Sequence, residues 1–170
     1  EPDAPNVSLA AVGIDVLIAA IERETGAGAS RQIARTVALA VRDALQPRKE
    51  GRIVNICSRV VHGGSDRTSY AAAKSALLGC TRTWALELAD QGITVNVIAP
   101  GPITTNMFYD VVEAGSEREA KLAAAIPVKR LGRADDISRA TLFFSDPENS
   151  FITGQTLYVC GGASVGTLTI

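Results

Sequence analysis

Apolar and polar positions alternate along this chain with two periods. Ile14-Asp15-Val16-Leu17-Ile18-Ala19 is a short, β-branched apolar run that reads as a buried strand. Residues 22–30 are polar and glycine-rich. A helix is expected from Arg31 to Leu45, closed by Pro47. Arg52 to Cys57 is the next expected strand, followed by a loop of Ser, Gly, Asp and Arg. Over 69–90 the period changes to that of a helix, with Leu77, Thr81, Trp84, Ala85 and Leu88 on one stripe and Gly92 as its stop. Thr94 to Ile98 is a third strand, broken by Pro100-Gly101-Pro102. Helical pieces are expected at 105–114, at 117–125 and from Ala134 to Phe144, the last ending before Pro147. Gln155 to Val159 is the final strand. Strands that alternate with helices predict a parallel sheet of about four strands, covered on both faces, in one domain.

Composition narrows the class. Of 170 residues, 46% are hydrophobic and 21% charged, enough apolar material for a real core. The net charge of -1 and the absence of a basic run argue against nucleic-acid partners. No apolar stretch approaches membrane-spanning length, and no signal peptide is evident. Cys57, Cys80 and Cys160 have neither metal spacing nor an even count, so reduced thiols in a cytoplasmic protein are expected. The single histidine, His62, lies in a glycine-flanked loop and is expected to be solvated. One histidine excludes a histidine-based triad and a histidine-rich metal site. A chain that opens on Glu1, with Met107 its only methionine, is expected to have had residues upstream.

The candidate chemistry sits in Ser69-Tyr70-Ala71-Ala72-Ala73-Lys74. Residues four apart share a helix face, so Tyr70 and Lys74 meet at one place. An ammonium beside a phenol favours the phenolate and lowers its pKa, which makes tyrosine a usable proton carrier. The bland alternative is a solvated helix face, because this spacing is common by chance.

From Gly51 onward the chain resembles the short-chain dehydrogenase/reductase family. The resemblance is close to its 3-oxoacyl-thioester reductases and hydroxyacyl-CoA dehydrogenases. Gly51-Arg52-Ile53-Val54-Asn55-Ile56-Cys57-Ser58 is similar to the strand that delivers the catalytic serine. Tyr70-Ala71-Ala72-Ala73-Lys74-Ser75-Ala76-Leu77 is similar to the catalytic helix. The segment from Gly92 through Pro100-Gly101-Pro102-Ile103-Thr104-Thr105 is similar to the strand and loop that hold the nicotinamide. Arg130-Leu131-Gly132-Arg133 to Asp136-Ile137, then Ile152-Thr153-Gly154-Gln155 to Gly161-Gly162, match the C-terminal pattern.

The resemblance implies a Rossmann-like α/β sheet and hydride exchange with NAD or NADP, the choice between the two left open. It implies catalytic roles for Ser58, Tyr70 and Lys74: the serine hydrogen-bonds the substrate oxygen, the tyrosine passes the proton, and the lysine assists it and holds a ribose. It places the nicotinamide against Pro100, Gly101, the Ile103 backbone and Thr105. Residues 106–125, with Met107, Phe108 and Tyr109, would line the substrate side. The residues by themselves also allow Ser58 to cap its own loop and Thr105 to be a helix N-cap.

The first fifty residues depart from the family. Residues 1–50 read as a shortened cofactor half and 51–170 as the catalytic and assembly half of one incomplete domain. Aligned on Asp15, Ala19-Ala20-Ile21-Glu22 stands where the family has an Asn-Asn-Ala-Gly turn, and Glu22 sets a negative charge near a pyrophosphate. Thr25 to Ala34 imitates the missing glycine-rich turn but follows Glu22-Arg23-Glu24 instead of a strand, so it reads as a loop and helix start. Ser30 falls where the family commonly has an asparagine.

Two readings follow. In the first, the chain is a cofactor-deficient pseudoenzyme, paired with an intact homologous subunit as a dimer of dimers and acting on a hydroxyacyl or oxoacyl thioester. In the second, it is part of a self-sufficient ketoreductase that uses Ser58, Tyr70 and Lys74, alone or with copies of itself. No metal and no membrane enter either reading.

Overall fold

The computed structural model describes residues 50–165. The strand expected at Ile14–Ala19, the helix at 31–45 and the glycine-rich stretch between them lie outside the described residues.

Three strands, β1 (Gly51–Ile56), β2 (Ile93–Pro100) and β3 (Thr156–Val159), form a parallel sheet in the order β1-β2-β3. Gly51 pairs with Ile93 and Ile56 with Ile98; Val97 pairs with Thr156 and Pro100 with Val159. β2 is central, and its residues from Ile93 to Ala99 are all buried. That is why it reads as an unbroken apolar run instead of an alternating one. The helices are α1 (Thr68–Leu88), α2 (Asn106–Tyr109), α3 (Glu117–Ala125) and α4 (Ala134–Ser145).

Helix α1 covers one face of the sheet. Trp84, Ala85 and Leu88 pack with Ile93 and Val95, and Leu77 with Cys57, Val97 and Ala99. Helix α4 covers the other face, where Ala140 and Phe144 meet Ile98. Alternate β2 side chains thus feed opposite layers. Asn96 faces the α4 side and is satisfied there: its Nδ2 donates to the Ile152 carbonyl at 2.8 Å, and its Oδ1 accepts from Gln155 N at 3.1 Å.

The stripe expected on α1 is buried as expected, with Lys74 added to it. Gly92 stops the turn after α1 at φ 71, a conformation that glycine adopts without strain. The helical piece expected over 105–114 contracts to four residues. Glu119 reaches back from α3 to take the Tyr109 hydroxyl at 3.1 Å and Gly115 N at 2.6 Å, and Arg118 takes the Val111 carbonyl at 3.1 Å. Side chains of α3 thereby occupy groups that a longer α2 would use.

Candidate active site

β1 stays in the sheet through Cys57, whose N–H donates to the Ile98 carbonyl at 2.7 Å. Ser58 then leaves the sheet in an extended conformation. Its Oγ accepts from Val60 N at 3.3 Å and caps the 3-10 turn Arg59–His62. That turn ends at Gly63, where φ is 104. Ser58 is thus both a loop cap and a hydroxyl at the sheet's C-terminal end, where parallel sheets present ligand-binding groups.

Tyr70 lies in the first turn of α1 and is 39% exposed; Lys74, one turn on, is only 8% exposed. The Lys74 ammonium donates to the Ile56 carbonyl at 3.2 Å and sits 5.8 Å from the centre of the Tyr70 ring. The stitch runs both ways, because the Cys57 thiol donates to the Lys74 carbonyl at 3.2 Å. Burial raises the Cys57 thiol pKa, which keeps it protonated as a donor. The end of β1 and the second turn of α1 are therefore fastened to each other behind Tyr70.

Pro100 and Gly101 close the arrangement from β2. Gly101 N donates to the Val159 carbonyl at 3.0 Å. A Cβ on Gly101 would lie 2.8 Å from Cys160 Cα, so only glycine lets the two strand ends come this close.

Ser58, Tyr70, Pro100 and Gly101 line one cleft of about 260 Å³. Two further lining residues, Arg59 and Arg67, were not singled out from the sequence. Their places, directly after Ser58 and three residues before Tyr70, were the available signal. Ile103 lines a different cleft of about 180 Å³ with Arg130, Asp136 and Cys160, and bridges to Gly132. Thr105 caps α2, accepting from Phe108 N at 3.4 Å, and is exposed. Met107 and Tyr109 are exposed and line neither cleft. His62 is exposed, with its ring stacked on Tyr158 at 4.8 Å.

In the second cleft, burial pushes the Cys160 thiol pKa up. Hydrogen bonds from Ser164 and from the Gly162 and Ala163 backbone outweigh it and bring the net pKa down. All three cysteines are free. Among the described residues, no group of three or more His, Cys, Asp or Glu could hold a metal, and no helix is long and apolar enough to cross a membrane.

The donor set of the first cleft suits the nicotinamide end of a dinucleotide beside a carbonyl or alcohol. Two hydroxyls and a proline–glycine backbone line it, and an ammonium lies 5.8 Å from the centre of the Tyr70 ring. The Ser58 and Tyr70 hydroxyls are groups able to take part in hydrogen bonding and proton transfer.

Comparison with known proteins agrees with this geometry. A family model described as enoyl-(acyl carrier protein) reductase matches residues 31–164. Subunit BbsD of (2S)-[(R)-hydroxy(phenyl)methyl]succinyl-CoA dehydrogenase from Thauera aromatica is 44% identical over 126 residues, 74% of this chain and 50% of that protein. The 3-oxoacyl-[acyl-carrier-protein] reductase FabG of Escherichia coli K12 is 41% identical over 124 residues, 72% of this chain and 50% of that protein. A solved 7α-hydroxysteroid dehydrogenase, complexed with NADH and 7-oxo glycochenodeoxycholic acid, superposes with a TM-score of 0.70 at 34% identity, over 76% of this chain and 51% of that one. The chain spans about half the length of the curated relatives it matches. With a family model matching most of its length, relatives above 40% identity and a parallel sheet flanked by helices, the chain belongs to the short-chain dehydrogenase/reductase family of oxidoreductases.

Proposed function

We propose that this chain supplies the substrate-handling part of an NAD(P)-dependent dehydrogenase/reductase that interconverts a hydroxyacyl and an oxoacyl thioester. The observation that carries this reading is the shared cleft: Ser58 and Tyr70 both line it, with the Lys74 ammonium 5.8 Å from the centre of the Tyr70 ring. Ser58 holds the substrate oxygen. Tyr70 donates a proton to that oxygen in reduction and takes it back in oxidation. Lys74, anchored on the Ile56 carbonyl, stabilises the negative charge that develops on the phenol oxygen. Pro100 and Gly101, which line this cleft, would hold the nicotinamide, which when bound gives or takes the hydride; Ile103 and Thr105 lie outside it. The rest is positioning, since hydride donor and acceptor carbons must be close and aligned.

The thioester class is supported by the activities that the relatives BbsD and FabG are named for. That BbsD is one subunit of its dehydrogenase supports assembly with a homologous subunit, as a dimer of dimers, or with a second copy of this chain. The three free thiols support a cytoplasmic setting.

One observation favours a second reading, in which residues 51–170 retain the catalytic and assembly half while 1–50 no longer serve the cofactor. Ala19-Ala20-Ile21-Glu22 replaces two amides and a glycine beside the dinucleotide and adds a carboxylate. The chain would then be a cofactor-deficient partner of an intact homologue.

Fluorescence titration of the full chain with NADH and with NADPH decides between them. Micromolar binding supports the self-sufficient site and eliminates the dependent partner. An absence of binding, together with turnover only after a homologous subunit is added, establishes the partner. An assembly that turns over no hydroxyacyl or oxoacyl thioester overturns both.

A further inference from the structure

The two clefts differ in their balance of charge. In the second, Arg130 is held by Asp136 through two hydrogen bonds of 2.7 and 3.0 Å, and Arg139 lies 3.9 Å from the same carboxylate. The cations there are matched by an anion within the wall.

The first cleft has no such match. Arg59 and Arg67 line it, and among the described residues no acid does. Arg59 is half-buried and spends one N–H on the Ala163 carbonyl at 3.4 Å, which leaves most of its donor fork uncommitted. Among the described residues, no hydrogen bond or ion pair engages the Arg67 guanidinium. Asp66, its chain neighbour, forms no ion pair with either arginine. Positive groups gathered around a concave site focus a field that concentrates anions there. The planar guanidinium fork matches a carboxylate or phosphate in two parallel hydrogen bonds.

We infer that this cleft selects a thioester carrying an anionic oxygen group, with Arg59 and Arg67 as its specificity-determining residues. The group is a carboxylate on the acyl chain or a phosphate of the thiol carrier. Both present the same charged oxygens to the arginines. The inference rests on the thioester reading proposed above and adds to it the charge of the substrate.

Three probes separate the sources: acetoacetyl-N-acetylcysteamine, which is neutral; 3-oxoadipyl-N-acetylcysteamine, which adds a carboxylate; and acetoacetyl-CoA, which adds phosphates. Dissociation constants for the full chain are measured by calorimetry at low and at physiological salt, for the wild type and for Arg59→Gln, Arg67→Gln and Arg67→Lys. At least one anionic probe is expected to bind about tenfold or more tighter than the neutral one, with the advantage shrinking as salt rises. Either glutamine variant should remove most of that advantage, and Arg67→Lys should retain part of it. A winning carboxylate probe assigns the anion to the acyl chain; a winning CoA probe assigns it to the carrier. Equal binding of all three probes, or an advantage that survives both glutamine variants, overturns the inference and leaves the thioester reading standing. Binding of none of the three overturns both.

Discussion

Helices α1 and α4 cover opposite faces of one sheet, yet they begin in opposite ways. The start of α4 is closed by charge. Asp136 accepts from Arg133 N at 2.8 Å and pairs with Arg130 through both oxygens, and Asp135 adds a second carboxylate to the first turn. Helix α1 opens on Arg67, with no side-chain cap and no acid in its first turn. Acidic groups are what a helix N-terminus ordinarily favours. Here a capping carboxylate would set negative charge beside Tyr70 and the cleft it lines. Helix α1 tolerates the omission because its stability comes from elsewhere: Leu77, Trp84, Ala85 and Leu88 anchor it along the sheet. The contrast separates an end closed by charge from an end left open to the cleft.

The largest expected effect tests the open end. If Tyr70 carries the proton as proposed, Tyr70→Phe removes the carrier while keeping the ring, so turnover of the active assembly should fall by about 10²–10⁴-fold with little change in thermal midpoint. Unchanged turnover would mark α1 as merely packing and dissolve the contrast.

Gly101→Ala probes the junction between cleft and core. The new Cβ would meet Cys160 at 2.8 Å, and crowding of this kind costs about 1–3 kcal/mol, measurable by denaturant unfolding. Activity should fall with it, because Gly101 lines the cleft.

Thr81→Val acts on the flank of α1 alone. Asn55 Nδ2 donates to Thr81 Oγ1 at 2.7 Å in the buried interior, and Asn55 Oδ1 already lacks a partner. Orphaning the amide should cost about 1–3 kcal/mol of stability.

The smallest effect belongs to Asp136→Asn. Hydrogen bonds from the Arg130 side chain, then from Arg133 N, hold the Asp136 carboxyl well below the usual carboxylate range. Its pKa is lower folded than unfolded, so its contribution is complete above the unfolded value of about 3.9 and is lost as pH falls below that. The wild type should therefore lose midpoint temperature on acidification below about pH 4. The variant should start lower at neutral pH and lose less over that acid range, with turnover unaffected.

Much of the layering is legible in the order of residues alone. Leu77, Thr81, Trp84, Ala85 and Leu88 recur at helical spacing, and Thr94 to Ile98 is the run that a strand buried on both faces requires. Thr105 as the cap of α2 is readable from its place before Asn106. The short length of α2 is not, because the side chains that end it, Arg118 and Glu119, come from the next helix. The apolar character of Met107 and Tyr109 leads one to expect them beside the substrate. They lie outside both clefts, since hydrophobicity says nothing about which neighbour a loop will meet.

Local order alone determined the elements, the stripe of α1 and the pairing of Tyr70 with Lys74, because a spacing of four residues is a distance in any helix. The parallel register decided the rest. By placing Gly51 beside Ile93 and Val97 beside Thr156, it brought Pro100 and Gly101 into one cleft with Ser58, Tyr70, Arg59 and Arg67, to which no acid among the described residues contributes. Those contacts join residues tens of positions apart, and no periodicity within either segment encodes them.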